Sequence, residues 1–203
     1  MKLLWACLIA IMSTAVVACA PKMNPEKDCG FAQNAYGERI SWDGKIPVAF
    51  YVHESVPEKF YPVIEKAMRQ WEQSTGLKLF IIAGYGYKGS AEPKRDGANV
   101  IYFMNTWEPD KINEQARTSI YWEGSSIKEA DIRINEKDFD FYDGVTVNSK
   151  AVHFESLMIH ELGHVLGLAH QEQGNTVMDA HLHSNTERTV ISNSDVESIR
   201  CEY

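Results

Sequence analysis

The spacing of apolar residues along the chain switches between strand-like and helical periods. Ile46-Pro47-Val48-Ala49-Phe50-Tyr51-Val52 is a compact apolar run that predicts a strand, with Pro47 near its start or on an edge. From Pro57 to about Ser74, residues Phe60, Val63, Ile64, Ala67, Met68 and Trp71 recur at three- and four-residue intervals, which predicts a helix with one buried face. Thr75-Gly76 supplies its stop. Leu77 to Ala83 reads as a strongly apolar strand, followed by a glycine-rich loop from Gly84 to Gly97. Asn99–Met104, Thr118–Trp122 and Ala130–Asn135 read as three more strands, the last two joined across Gly124-Ser125-Ser126. A second helix is predicted from His153–Ser156 to Gly167, with apolar contacts from Phe154, Leu157, Met158, Leu162, Val165 and Leu166. Strands and helices in this order predict an α+β domain with neither internal repeats nor low-complexity segments.

That second helix carries the chain's most informative chemistry, His160-Glu161-Leu162-Gly163-His164-Val165-Leu166-Gly167-Leu168-Ala169-His170. His160 and His164, four residues apart, share one helix face. Catalytic zinc takes three protein ligands and leaves its fourth position to water, so a third ligand is needed. His170 would lie on the wrong side of a continued helix, and the chain must turn back to bring it to the metal. Gly167 permits that exit through the left-handed backbone region. Glu161 lies about 100° around the helix from His160 and is long enough to lean towards a water held by the histidines. It can take a proton from that water and return it to the leaving amine.

Three histidines, a glutamate and a glycine at this spacing, followed by Met178, are the metzincin signature. Within that clan the chain most resembles the matrixins over roughly residues 45–203. Thr176-Val177-Met178-Asp179 falls at the matrixin distance from His170, and Ser192-Asn193-Ser194-Asp195-Val196-Glu197-Ser198-Ile199-Arg200 is similar to their short C-terminal helix. The resemblance implies a twisted, mixed five-stranded sheet with a long helix, an active-site helix and a short C-terminal helix. It implies one catalytic Zn2+ on His160, His164 and His170, Glu161 as general base, Met178 as an apolar floor beneath the metal, and Asp195 bracing the methionine turn. The implied activity is zinc-dependent hydrolysis of internal peptide bonds in a protein or peptide substrate. In such enzymes a sheet strand borders the cleft and pairs with the extended substrate. Ala130–Asn135 is the candidate for that strand. The second, structural zinc of matrixins is not expected, because no histidine lies between His53 and His153. Calcium is an open expectation at loops such as Asp138–Gly144, although nothing there fits a known calcium loop. The chain departs from the matrixin pattern at Gln171, Asp179, Ala180 and Ser194, so substrate preference does not carry over.

Composition places this domain. A net charge of -8 argues against nucleic acid as a partner. Met1-Lys2 and the apolar run Leu3–Met12 read as a secretory signal. The run ends at Val16-Val17-Ala18-Cys19, which resembles the bacterial lipoprotein box, with Cys19 as the lipidated first residue of the mature chain. The expected organisation is a lipoprotein signal peptide at 1–18, a lipid-anchored tether and lead-in segment at 19–44, and the peptidase domain at 45–203. The expected product is a monomer anchored in the bacterial cell envelope, with Ala20 after the cysteine pointing to the outer membrane. Cys29 and Cys201 then remain, and an even pair in an oxidising compartment favours a disulfide. The competing reading is that Cys29-Gly30 acts as a zinc-blocking propeptide cysteine. Two other functions stay open: a non-catalytic envelope lipoprotein that keeps the fold for binding, and a zinc amidase acting on cell-wall peptides.

Overall fold

The computed structural model describes residues 28–89, 92, 94–145, 150–172 and 175–203. The signal peptide, Cys19 and the first part of the tether lie outside the described residues. Among those described, no helix is long and apolar enough to cross a membrane.

The chain runs β1 (Val48–His53), α1 (Tyr61–Thr75), β2 (Phe80–Tyr87), β3 (Asn99–Met104), β4 (Ala116–Glu123), β5 (Ser126–Asn135), β6 (Phe141–Tyr142), β7 (Val152–His153), α2 (Phe154–Val165) and α3 (Asn193–Arg200). Five strands form one mixed sheet in the order β2-β1-β3-β5-β4, and β6 pairs with β7 as a two-residue ribbon. The first four strands of the sheet are mutually parallel, while β4 runs antiparallel to β5 and forms the sheet's edge. This is the α+β architecture expected.

Helix α1 buries Val63, Ile64, Ala67, Met68 and Trp71, the face its three-four spacing predicts. Its exit is Gly76 at φ 77°. That face packs on α2, where Trp71 Nε1 donates to Ile159 O (2.9 Å). Helix α2 lies in the middle of the molecule: every residue but His164 is buried. The core joins Phe50, Val52, Ile132 and Ile134 of the sheet to Leu157, Met158 and Leu162 of α2.

Three expectations change. Strand β2 continues through Gly84 and Gly86 to Tyr87, with register shifts opposite it in β1, so the glycines begin no loop. Ala130–Asn135 belongs to an interior strand, β5, flanked by β3 and β4. The strand that borders the cleft is therefore β4, whose outer edge has no sheet neighbour among the described residues. The described part of the expected tether packs as part of the domain: Phe31, Ile40 and Trp42 are core residues. Their apolar side chains stand too far apart in a polar stretch to show any period.

Candidate active site

Helix α2 ends one residue before Leu166, and Gly167 turns the chain at φ 101°. A side chain at Gly167 would be strained there, and its Cβ would stand 2.2 Å from Ile40 O. The turn is capped from outside the helix. Trp42 Nε1 donates to Val165 O (2.8 Å) and Tyr203 Oη to Leu166 O (2.7 Å). Ala32 N donates to Gly167 O (2.9 Å), and Ala169 N to Gly30 O (2.8 Å). These contacts satisfy carbonyls that a helix end leaves without partners and fix the path that returns His170 to the helix.

His160, His164 and His170 converge. Their Nε2 atoms lie 3.0 Å (160–164), 3.0 Å (164–170) and 3.3 Å (160–170) apart. His160 Nδ1 donates to Val177 O (2.8 Å), and His164 Nδ1 donates to Leu168 O (2.7 Å). Those bonds fix the tautomer and leave each Nε2 lone pair facing the centre. Burial pushes all three histidines below their ordinary pKa, which favours the neutral, ligating form; for His160 the nearby His164 adds to the effect. Tetrahedral zinc with Zn–N of 2.0–2.1 Å requires N···N edges of about 3.3 Å. The donor set and its triangle fit such an ion.

Glu161 is buried beside the triad. Thr118 Oγ1, on the edge strand β4, donates to its Oε2 (2.6 Å). Burial pushes the Glu161 carboxyl up to about 7, against the opposing effect of the Thr118 bond.

Met178 is fully buried against Gly163 of α2, and its main chain is held by Gln171 N donating to Met178 O (2.9 Å). A Cβ on Gly163 would lie 2.3 Å from Met178 Sδ and 3.2 Å from Trp71 Cζ2, so the helix must be bare at that position. Asp195 supports the turn from α3. It accepts from Thr176 Oγ1, Val177 N (3.2 Å), Ser192 N (2.9 Å) and Ser192 Oγ (2.7 Å). One carboxylate thus caps α3 and ties it to the methionine turn. Ser194, at the neighbouring position, meets Ser192 at the surface through their hydroxyls (2.8 Å).

A cleft of about 650 Å³ opens over the triad. It is lined by Ala116, Arg117 and Thr118 of β4, Leu157 of α2, and Ala180, Leu182 and Arg188 beyond Met178. His181 and His183 also line it and are exposed. His153 takes the position before α2, with its Nδ1 2.8 Å from Ser156 Oγ. Cys29 is joined to Cys201, at a Cα–Cα distance of 6.3 Å, so its sulfur faces the C-terminal end of α3. In the loop open to calcium, Asn135 Nδ2 donates to Asp138 Oδ2 (3.1 Å), while Asp143 approaches His153 and Glu155. Glu155 is already paired with Lys66 Nζ (2.6 Å).

Thr118, Gly163, Thr176 and Arg188 were not marked as site residues by the sequence. Gly163 alone carried a local signal, a glycine in mid-helix. The other three act through contacts between segments far apart in the chain.

No curated protein matches the chain. The sequence model of the family described as Matrixin matches residues 42–203. With most of its length covered, and a mixed five-stranded sheet beneath the histidine helix, the chain belongs to the matrixin family of zinc-dependent endopeptidases.

Proposed function

We propose that this protein is a metalloendopeptidase that holds one zinc ion on His160, His164 and His170 and uses Glu161 as its general base. The observation that carries this reading is the Nε2 triangle with 3.0–3.3 Å edges, with Glu161 buried beside it on the same helix. When bound, zinc acidifies the attacking water and polarises the scissile carbonyl. Glu161 accepts the proton of that water and passes it to the leaving amine. A carboxyl held near neutrality suits both tasks, since it gains and loses a proton at little cost. Thr118 aims Oε2 and favours its charged form. The free edge of β4 offers main-chain pairing to an extended peptide, which positions the substrate with little dependence on its sequence.

The test is purified protein with a generic protein substrate. Cleavage should stop with a chelator and return with zinc. Glu161→Gln should lose at least a thousandfold in kcat/KM while still binding one zinc per chain. Undiminished cleavage by that variant would remove Glu161 from the mechanism, and zinc binding with no peptide-bond cleavage would favour the binding-module reading. Peptidoglycan offered beside casein separates the amidase.

We place the enzyme at the bacterial cell envelope, most simply the outer membrane, through a lipid on Cys19. The support is the basic start, the apolar run and the Val16-Val17-Ala18-Cys19 ending. Labelled fatty acid should enter the wild-type protein and not Cys19→Ala; equal labelling of both would exclude lipidation there.

A further inference from the structure

We propose that Arg188 makes the cleft selective for peptides with an acidic side chain beside the scissile bond. This rests on the endopeptidase reading and names its substrate class. Arg188 lines the cleft together with Leu157, Ala180 and Leu182. Its guanidinium is clamped rather than loose. One terminal nitrogen donates to Asp179 O (2.8 Å) and the other to His181 O (3.2 Å), both on the segment that forms the cleft wall beyond Met178. Its backbone is fixed too, because Arg188 N donates to Ser156 Oγ on α2 (2.7 Å). The head group is therefore preorganised, and little freedom is lost when a ligand binds it.

Its hydrogen-bonding capacity is not used up. Two carbonyls take two of five N–H groups, which leaves a second N–H on each terminal nitrogen for a ligand, while Nε is shielded from water. Its charge is offset only at a distance, by the carboxylates of Asp179 and Asp195. Among the described residues no carboxylate forms an ion pair with Arg188. Of the two carboxylates lining the cleft, Glu114 is engaged by Arg117 and Glu161 by Thr118. A partly buried, fixed guanidinium with free donors favours a carboxylate over a neutral side chain of the same shape. Ala180 lines the same cleft and adds only a methyl group to its wall. The resemblance to matrixins gave no specificity for this segment, and Arg188 supplies one from outside the family motif.

The test uses zinc-loaded protein and internally quenched peptides that differ only in one residue flanking the scissile bond: Glu, Gln, Leu or Lys. A charge-assisted hydrogen bond predicts that the Glu peptide exceeds the Gln peptide in kcat/KM by about 10- to 100-fold. Arg188→Met should bring the ratio close to one. Arg188→Lys should keep part of it, because the charge stays and the fork is lost. Arg188→Glu should reverse it towards a Lys peptide. Free and amidated C-termini on the same peptides separate a side-chain carboxylate from a terminal one, and a preference seen only with free C-termini would overturn the side-chain assignment. Equal or faster cleavage of the Gln or Leu peptide by the wild type would overturn the inference while leaving the endopeptidase reading intact, and needs no variant. A Glu preference that survives in Arg188→Met would overturn it too. No cleavage of any peptide by zinc-loaded protein would overturn both.

Discussion

Thr118 and Glu161 are 43 residues apart in sequence and share a 2.6 Å hydrogen bond. Two opposing effects act on the glutamate. Burial disfavours the carboxylate and pushes the group up to about 7, while the threonine hydroxyl favours the carboxylate and pulls it down. Thr118→Val keeps the shape and removes only the donor. With the downward effect gone, the Glu161 pKa rises, so at neutral pH a smaller share of the enzyme has its base ready. The acidic limb of kcat/KM against pH should then move to higher pH. Activity at pH 7 should fall on the order of tenfold, in keeping with the loss of one hydrogen bond to a charged group. Zinc content should not change, since neither histidine Nδ1 bond involves Thr118. A limb that stays in place would show that Thr118 does not set the protonation of Glu161. At this scale the sequence was legible where chemistry follows local spacing, as with His160, Glu161 and His164 on one helix. Thr118 carried no such mark, because its importance comes from a strand meeting a helix.

The long elements were equally legible. α1 buries the face its period predicts, because a helix with apolar residues at three-four spacing has few ways to hide them, whereas α2 is buried almost all round. Strand order is a different matter. β4 and β5 both read as strands, and nothing local says that the antiparallel one becomes the edge over the cleft. Nor could the two-residue β6 and β7 be read from a pattern so short. β5 also carries a cost that the alternation alone does not reveal. Asp131 is fully buried; Val100 N donates to its Oδ1 (3.0 Å), and its Oδ2 makes no close hydrogen bond among the described residues. Burial, reinforced by Glu129 and Asp96, pushes this carboxyl up to about 7, from 3.8 as an ordinary aspartate. The folded state therefore binds a proton more tightly than the unfolded chain. Stability from this group is full below about pH 4 and is lost as pH rises towards about 7. Between pH 5 and pH 8 the wild type should lose on the order of 2 kcal/mol through Asp131. Asp131→Asn should not lose it, so the variant's stability relative to wild type should grow with pH. Urea unfolding of both proteins at pH 5 and pH 8 measures that difference, in which the histidines cancel. Parallel pH curves would mean that the carboxyl titrates normally.

For the molecule as a whole, both ends of the described chain close on the exit of α2. Trp42 from the N-terminal side and Tyr203 from the C-terminal side cap consecutive carbonyls, Val165 O and Leu166 O. Arg39 Nε donates to Glu202 Oε2 (2.6 Å), and Cys29 is bonded to Cys201 across 172 positions. Next to that disulfide, Gly30 O receives Ala169 N, one residue before the proposed ligand His170. The cross-link therefore holds together two segments that pack into the core and set where the third histidine stands. Replacing both cysteines by serine frees the unfolded chain over a very long loop, which in the chain-entropy model costs roughly 3–5 kcal/mol. The double variant should unfold at lower denaturant, and its zinc should be released in the same shifted transition, because the α2 exit and His170 loosen together. A reductant should lower the unfolding midpoint of the wild type to that of the variant and leave the variant unmoved. Tryptophan fluorescence and a zinc-sensitive dye followed in one titration read both events. If zinc left well before the fluorescence change in the wild type, the terminal clamp would not be what holds His170. A wild-type midpoint indifferent to reductant would mean that Cys29 and Cys201 add nothing to stability.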